Sequence, residues 1–359
     1  MTPASGRVNE LDLLRFLAAI SVVLFHYSFR GYTADALSAL PYPDLSVVAR
    51  YGYLGVHLFF LISGFVILMS AADGNLKNFV ISRTVRLYPA FWVCCTITFV
   101  LITTIGAPRL TASLSQYLLN MTLMSNALGV PPIDGVYWSL FVEIKFYMLV
   151  AVILAFGLIR QAEWILVAWL AATIALTALP IGILRSWLLT DYSPYFIAGA
   201  MSYLVWSKGA SRLRSGTLLT AWIVALYQSL RELAEFDAHY HTQLNIYVVI
   251  AIITGFFLVM HLVAHRRTGL LGRRQWQTIG ALTYPLYLLH QNIGYMLFNL
   301  GYPQLNPHLL FWGTVALMLF MAYSVNILIE RRLAFRLKAF LRTVLNAHPK
   351  TSPSPTPSS

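Results

Sequence analysis

The stretch that decides the fold is LDLLRFLAAISVVLFHYSFR, which runs from Leu11 to Arg30. It consists mostly of Leu, Ala, Ile, Val and Phe, and an apolar run of about 20 residues can cross a bilayer as one α-helix. The run also contains Asp12, Arg15 and His26, although an ionisable side chain within hydrocarbon costs at least ~2.5 kcal/mol. Arg15 and His26 are close to three helical turns apart, so their side chains lie on one face, roughly 16 Å apart along the axis. The pattern therefore predicts a membrane helix with one polar face.

The composition of the whole chain also indicates a membrane protein. The 359 residues are 58% hydrophobic and 11% charged, whereas about a quarter of the residues of a soluble domain are charged. The mean hydropathy is +0.68. We therefore predict an all-α polytopic membrane protein. The formal net charge of +12 requires no nucleic-acid partner, because basic residues accumulate in the cytoplasmic loops of membrane proteins.

Apolar runs of membrane-spanning length recur along the chain, and we predict about ten transmembrane helices around a central polar cavity. Residues 110–124 repeat apolar side chains at helical spacing and are predicted to form an amphipathic helix at the membrane interface. We predict one membrane domain, 1–340, and a disordered cytoplasmic tail, 341–359, which is rich in Pro and Ser towards its end. The ten predicted segments are 11–30, 53–71, 87–106, 137–159, 163–180, 193–207, 217–231, 244–264, 278–299 and 308–329.

The basic residues of the loops predict the orientation of these helices. With both termini in the cytoplasm, the cytoplasmic loops and termini hold most of the 25 Lys and Arg residues. The outer loops then hold only Arg50, Arg109, Arg185 and Arg231. This asymmetry is what the positive-inside rule requires, so we predict that both termini are cytoplasmic.

Polar residues within three of the predicted helices indicate a shared cavity. Segment one places His26 in its outer half, and segment four, VYWSLFVEIKFYMLV, places Glu143 at nearly the same depth. Ser139 and Tyr147 lie four residues on either side of Glu143 and share its helix face. His290 lies near the middle of segment nine. Ionisable residues from three distant segments at these depths predict a polar cavity rather than helix ends.

Arg83 and Arg86 lie three residues apart at the predicted cytoplasmic mouth of segment three. Two guanidinium groups on one helix face can bind phosphate oxygens through paired hydrogen bonds. The alternative is that they mark only the topology, as basic residues at helix ends often do. His57 is predicted to be an interfacial histidine without a function, and no set of residues has the spacing of a metal site.

These residues by themselves fit two classes of protein. An enzyme uses a buried histidine and a carboxylate for acid–base chemistry near neutral pH. A proton-coupled transporter uses the same residue types as a relay across the membrane. The polar residues alone leave both classes open.

Five motifs of the chain occur in the order found in a known family. The chain resembles the acyltransferase-3 family of integral membrane acyltransferases, and the resemblance covers residues 9 to about 332. The motifs are Arg15-x10-His26; GVHLFFLISGFVI from Gly55 to Ile67; Arg83-x-x-Arg86-Leu-Tyr-Pro89; WSLFVEIKFY with Trp138, Ser139 and Glu143; and YPLYLLHQNI with His290.

The resemblance implies an acyl-CoA-dependent O-acyltransferase of the bacterial inner membrane, with ten helices around a cavity. Such an enzyme transfers an acyl group, here expected to be acetyl, from cytoplasmic acyl-CoA to a hydroxyl of a surface or periplasmic glycan. A small molecule such as a macrolide is the alternative acceptor, and a proton-coupled transporter is the alternative class. The acyl-CoA is a substrate rather than a bound cofactor, and membrane lipids are the remaining partners.

The resemblance also suggests roles for the polar residues. We expect His26 to act as general base, with Glu143 supporting its imidazole. The sequence leaves open the acceptor, the acyl chain length, the oligomeric state, and the choice between direct transfer and a covalent acyl-enzyme. The residues expected to bind substrate are Arg15, Arg83, Arg86 and Ser139, together with Tyr147 and His290 on the acceptor side.

Overall fold

The computed structural model describes residues 7–179 and 181–346, and this part of the chain is helical without a strand. The long helices are α1 (Asn9–Phe25), α2 (Gly55–Ala71), α3 (Leu76–Ile105), α4 (Tyr137–Ala155), α5 (Ala162–Ala178), α6 (Ser193–Lys208), α7 (Arg212–Arg231), α8 (Ile246–Ala264), α9 (Gln277–Gly301), α10 (Pro307–Val325) and α11 (Arg331–Asn346). Short α-helices are Gly31–Thr33, Pro43–Ala49, Leu114–Asn120, Gly182–Trp187, Leu233–Tyr240 and Leu270–Arg273. Turns of 3-10 helix are Gly52–Leu54, Ser125–Leu128 and Leu158–Gln161, and turns of π-helix are His26–Arg30 and Asn326–Glu330.

Helices α1 to α10 coincide with the ten predicted segments, and the all-α polytopic membrane fold is confirmed. Within the described residues, seven helical stretches are long and apolar enough to cross a membrane. The exceptions among the ten are α6, which has 16 residues, and α7 and α9, which carry more polar side chains. The number of crossings and the direction of each stay predictions.

Helix α3 begins at Leu76, well before the predicted segment 87–106. Asn75 caps it, because its side chain accepts a hydrogen bond from the backbone N–H of Asn78 at 2.9 Å. Arg83 and Arg86 therefore lie on a regular helix rather than in a loop, and their spacing of three residues places them on the same face.

Two predicted segments differ from the structure. The predicted amphipathic helix 110–124 is reduced to Leu114–Asn120, which begins at a capping box formed by Ser113 and Gln116. Its Tyr117 ring stacks on Phe99 of α3, with ring centroids 4.5 Å apart, so the segment packs against the bundle. At the other end of the chain, α11 includes residues 341–346 of the predicted disordered tail. The remainder of that tail, 347–359, lies outside the described residues.

Helices α2 and α6 pack with their backbones in contact, through one glycine on each helix. A Cβ atom on Gly199 would lie 1.8 Å from the carbonyl oxygen of Leu61, and one on Gly64 would lie 2.1 Å from that of Phe196. Only glycine permits this approach, because any other residue would place its Cβ inside the neighbouring backbone. The contact fixes α2, which carries residues of the candidate site, against the rest of the bundle.

Helices α1 and α9 are joined next to the candidate site by Tyr27. Its hydroxyl donates a hydrogen bond of 2.7 Å to the carbonyl oxygen of His290. Its ring occupies the space beside Gly294, where a Cβ would lie 2.3 Å from a ring carbon of Tyr27. Tyr27 is completely buried, so this contact sets the relative position of the two helices.

Candidate functional site

The centre of the site is a pair of histidines, one at the start of the π-helical turn that follows α1 and one in α9. The Nε2 atom of His290 lies 3.0 Å from the Nδ1 atom of His26, and the ring centroids are 4.9 Å apart. His26 is 4% exposed and His290 is fully buried. The two residues are far apart in the chain, and the packing of Tyr27 against α9 brings them together.

The neighbours of the two rings define which nitrogen carries each proton. The Nδ1 atom of His290 faces only the carbonyl oxygens of Leu286 and Tyr287, at 3.2 and 2.9 Å, and must therefore carry a hydrogen. In a neutral imidazole its Nε2 then has the lone pair, and accepts a hydrogen bond from Nδ1–H of His26. That hydrogen also faces the carbonyl oxygen of Val22, at 2.9 Å. The lone pair of a neutral His26 is consequently on Nε2, which has no hydrogen-bond partner among the described residues.

His26 lines a cavity of about 520 Å³, the His26 cavity, which is mainly polar and aromatic. His57 lies in its wall, and a turn of helix from Leu233 to Tyr240 covers part of it. The aromatic residues that line it are Phe25, Tyr53, Trp138, Tyr192, Phe236, Tyr240 and Tyr287. The charged residues that line it are Arg30, Arg185, Asp191, Arg231, Glu232 and Glu235.

Glu232, directly after α7, is the carboxylate of this cavity whose protonation is most altered. Burial and the nearby carboxylate of Asp191 raise the pKa of Glu232 to about 7, although Arg231 acts in the opposite direction. Near neutral pH the Glu232 carboxyl can therefore both donate and accept hydrogen bonds, which suits a ligand rich in hydroxyl groups.

Glu143 lines a second, smaller cavity of about 100 Å³, the Glu143 cavity, together with Arg15, Arg83 and Arg86. The carboxylate of Glu143 accepts hydrogen bonds from Ser63 Oγ at 2.8 Å and from the Tyr147 hydroxyl at 2.6 Å. The structure thus brings the three arginines that were predicted to bind substrate together with the Glu143 carboxylate in one cavity.

Arg83 and Arg86 are held over aromatic rings at the mouth of the Glu143 cavity. The Arg83 guanidinium lies 5.9 Å from the ring centre of Tyr147, and that of Arg86 lies 5.5 Å from the ring centre of Tyr284. Arg86 also approaches Glu330, at 3.4 Å. Arg83 also donates a hydrogen bond of 2.7 Å from Nη2 to Ser82 Oγ, and the remaining Nη donors of the two guanidinium groups are available to an anionic ligand.

A third cavity, the Arg7 cavity, continues from the Glu143 cavity. It measures about 550 Å³ and is lined by Arg7, Asp12, Arg15 and Arg86. Arg15 and Arg86 line both cavities, so the two are adjacent. Asp12 is paired with Arg7, at 2.7 Å, and not with Arg15, whose charge is left for the cavities.

The His26 and Glu143 cavities meet at a wall formed by Tyr287 and Val56, which line both. The Tyr287 hydroxyl lies 2.7 Å from Ser139 Oγ, in a hydrogen bond in which either oxygen can donate. Ser139, which was predicted to bind substrate, therefore positions the Tyr287 side chain in this wall and also lines the Glu143 cavity.

The structure places Glu143, His290 and Tyr147 differently from the expected arrangement, and their roles stay predictions. Glu143 was expected to support the imidazole of His26, but it lines the neighbouring cavity, and the partner of His26 is His290. His290 and Tyr147 were expected on the acceptor side. His290 is instead buried behind His26, and Tyr147 lies with Arg83 in the Glu143 cavity.

Sequence reasoning passed over two residues that line the His26 cavity, His57 and Glu232. His57 could have been selected from the sequence, because it lies in the motif GVHLFFLISGFVI on which the family resemblance rests. Glu232 carries no local signal, since it is a single carboxylate after a helix and only the tertiary structure places it near His26.

A membrane helix bundle with a buried histidine pair beside two adjacent cavities is compatible with the class of integral membrane acyltransferases, and sequence comparison shows that the chain belongs to this class. Residues 8–331 match the family described as the acyltransferase domain, and the chain belongs to this acyltransferase-3 family.

Two curated proteins illustrate the family's range of relatives. The chain is 27% identical to nodulation protein 10 of Rhizobium leguminosarum bv. viciae, over 88% of this chain and 91% of that protein. It is 30% identical to acyltransferase MdmB of Streptomyces mycarofaciens, over 49% of this chain and 46% of that protein. No solved structure matches.

Proposed function

We propose that this membrane acyltransferase transfers an acyl group, with acetyl expected, from cytoplasmic acyl-CoA to a hydroxyl of a surface or periplasmic glycan. The observation that carries the proposal is the free Nε2 of His26, which lines a hydroxyl-suited cavity next to an arginine-lined one. The enzyme is placed in the bacterial inner membrane with both termini in the cytoplasm.

The donor enters through the Arg7 cavity and the Glu143 cavity. The phosphates of CoA bind to Arg83 and Arg86, since paired guanidiniums bind phosphate oxygens with several hydrogen bonds. Arg15 lies between the two cavities and contacts the pantetheine arm, which brings the thioester to the wall at Tyr287. A shift of the Tyr287 side chain joins the donor and acceptor cavities.

The acceptor binds in the His26 cavity. Aromatic faces such as Trp138 and Tyr192, together with carboxylates such as Glu232, provide stacking surfaces and hydrogen bonds for a sugar ring. The mixed polar and aromatic lining favours a glycan.

In the transfer step, His26 Nε2 removes the proton from the acceptor hydroxyl while that oxygen attacks the thioester carbonyl carbon. The carbon–sulfur bond of the tetrahedral intermediate then breaks, and the imidazolium returns its proton to the departing CoA thiolate. The second proton of the imidazolium stays on Nδ1, where His290 and the Val22 carbonyl accept it. His290 thus holds the ring in the productive tautomer, as the third member of a nucleophile–base–acid arrangement does.

The test is an assay of CoA release by the full-length protein in proteoliposomes supplied with acetyl-CoA and a glycan acceptor. His26→Ala is expected to lower turnover by about 10²–10⁴-fold, the usual contribution of a general base. His308→Ala is the control, because His308 is bonded to Tyr42 on the surface and lines neither cavity. Turnover by His26→Ala at the wild-type rate would refute the role of His26.

The same assay separates the enzyme from the proton-coupled transporter. An acyltransferase releases one CoA for each acyl group that appears on the acceptor, whereas a transporter moves its cargo without consuming thioester. Mass spectrometry of surface glycans from cells with and without the protein then identifies both acyl group and acceptor, because the mass difference equals that of one acyl group.

A further inference from the structure

A cavity outside the proposed active site opens on the side of the bundle between α6, α7 and α8. It has a volume of about 390 Å³, and we call it the lateral groove. Its wall is mainly apolar, and Leu61 of α2 lies at its base. Leu61 is on the other side of α2 from Ser63, which lines the Glu143 cavity, so the groove is separate from that site. The apolar residues of the three outer helices that line it include Val205, Leu218, Leu219, Trp222, Phe257 and Leu258.

The groove opens towards the lipid phase. Leu219 and Leu258 line it and are 56% and 60% exposed, so its entrance lies on the outer surface of the helices. Exposed leucines on helices of a membrane protein face acyl chains, because no water is present at that depth to favour polar side chains. An acyl chain can therefore enter the groove sideways from the bilayer.

Most of the polar residues of the groove lie at one end, and Thr254 at the other end accepts a hydrogen bond from Trp222 Nε1 at 3.2 Å. Ser202 of α6 is 2% exposed and lines the groove, and its hydroxyl has no hydrogen bond among the residues that the structure describes. A hydroxyl that faces the groove without a protein partner can donate a hydrogen bond to an oxygen atom of a bound ligand. Ser215, His261 and His265 lie at the same end, near the ends of the helices, whereas Thr254 marks the opposite, membrane-central end.

The charge around the polar end is positive. Arg267 lies beside the end of α8 that carries His261, because its backbone N–H donates a hydrogen bond of 2.8 Å to the carbonyl oxygen of Leu262, and Arg212 begins α7. Two carboxylates of this region already have partners: Glu163 is paired with Arg214 at 2.8 Å, and Glu10 accepts a hydrogen bond of 2.8 Å from Thr268, which follows Arg267 in the chain. An anionic head group at this end would meet cations and histidine donors rather than carboxylates.

We propose that the lateral groove binds one glycerophospholipid with an anionic head group, such as phosphatidylglycerol. One acyl chain occupies the apolar part, the ester region reaches the Ser202 hydroxyl, and the phosphate is bound by His261 and Arg267. The groove combines a long apolar wall with positive charge at its membrane-boundary end. An anionic phospholipid matches both features, because it has a long acyl chain and a negatively charged phosphate, whereas a soluble ligand has no such chain. The bound lipid would fill the space between α8 and the α6–α7 pair. This inference does not depend on the proposed reaction.

The test is native mass spectrometry of the full-length protein, purified in mild detergent and titrated with phosphatidylglycerol or phosphatidylcholine of the same chain length. The wild-type protein is expected to bind one phosphatidylglycerol with at least fivefold preference over phosphatidylcholine. Arg267→Gln should lower that preference about fivefold, the contribution of one basic residue to anionic-lipid binding. Arg160→Gln is the matched control, because Arg160 is exposed and lies outside the groove.

A second variant tests the acyl-chain part of the groove. Ser202→Leu places extra carbon atoms in the cavity and should lower the binding of both lipids at least tenfold. Ser207→Leu introduces the same side chain on the same helix, at an exposed position outside the groove, and should bind as the wild type does. Equal binding of the two lipids by the wild-type protein, or wild-type binding by both Arg267→Gln and Ser202→Leu, would overturn the proposal.

Discussion

At the scale of single residues, the site depends on which nitrogen of His26 is free. Two backbone carbonyls fix the proton of His290, His290 then fixes the proton of His26, and the lone pair of His26 is left to face the cavity. A carboxylate would have done the same while adding a negative charge. A histidine partner instead keeps the buried pair neutral, which avoids the cost of an isolated charge in the membrane interior.

This arrangement predicts the effect of removing His290. His290→Ala should lower the turnover number on the order of tenfold to a hundredfold, less than His26→Ala, because His26 keeps its lone pair and loses only the group that orients it. The Michaelis constant for acyl-CoA should stay unchanged, since His290 does not line the Glu143 cavity. Initial rates over a range of acetyl-CoA concentrations test this. An effect on the Michaelis constant alone would show that His290 serves donor binding and not His26.

At the scale of helices, the contact between α2 and α6 determines the shape of the bundle. Glycines at facing positions let the two backbones touch, as small residues commonly do between membrane helices. Ser63 and Phe60 of α2 line the Glu143 cavity, and Leu61 lines the lateral groove. The position of this one helix therefore affects both cavities.

The α2–α6 contact predicts the result of adding a single methyl group. Gly199→Ala should destabilise the protein by about 1–3 kcal/mol or more, because its Cβ would overlap the Leu61 carbonyl and the helices would have to separate. Gly255→Ala on α8 is the control, because a Cβ there meets nothing within 4 Å. It should be neutral or stabilising by up to ~1 kcal/mol. Thermal unfolding in detergent measures both, and equal stability of the two variants would contradict the packing argument.

At the scale of the whole molecule, the cavities form a sequence from one side of the bundle to the other. The Arg7 cavity adjoins the Glu143 cavity through Arg15 and Arg86, and the Glu143 cavity adjoins the His26 cavity through Tyr287 and Val56. Two substrates can therefore approach a common point from the two ends of this series of cavities. This geometry suits an enzyme whose donor is cytoplasmic and whose acceptor lies outside.

The orientation can be tested with single cysteines, since both natural cysteines, Cys94 and Cys95, are buried. Asp44→Cys, between α1 and α2, should react with a membrane-impermeant maleimide in intact spheroplasts. Arg160→Cys, between α4 and α5, should react only after lysis, because the positive-inside rule places that loop in the cytoplasm. Both native positions are exposed, so either label has access once it reaches the correct side. The reverse pattern of labelling would invert the predicted topology.

The sequence determined that the protein has an all-α polytopic membrane fold, and it located helices α1 to α10, although α3 begins earlier than predicted. Both follow from the lengths of the apolar runs, because the thickness of the bilayer sets how many consecutive apolar residues a spanning helix needs. The sequence also selected Arg15, His26, Arg83, Arg86 and Glu143, because charged and titratable residues within such runs are expensive and therefore conspicuous.

Only the tertiary structure decided which of those residues meet. Depth along a helix can be estimated from residue number, but the direction in which a side chain faces its neighbours depends on how the helices pack. Tyr27 and Gly294 fit α1 against α9 and bring His290 to His26, while Tyr287 separates both from Glu143. These contacts join residues hundreds of positions apart, so no local pattern in the chain could specify them.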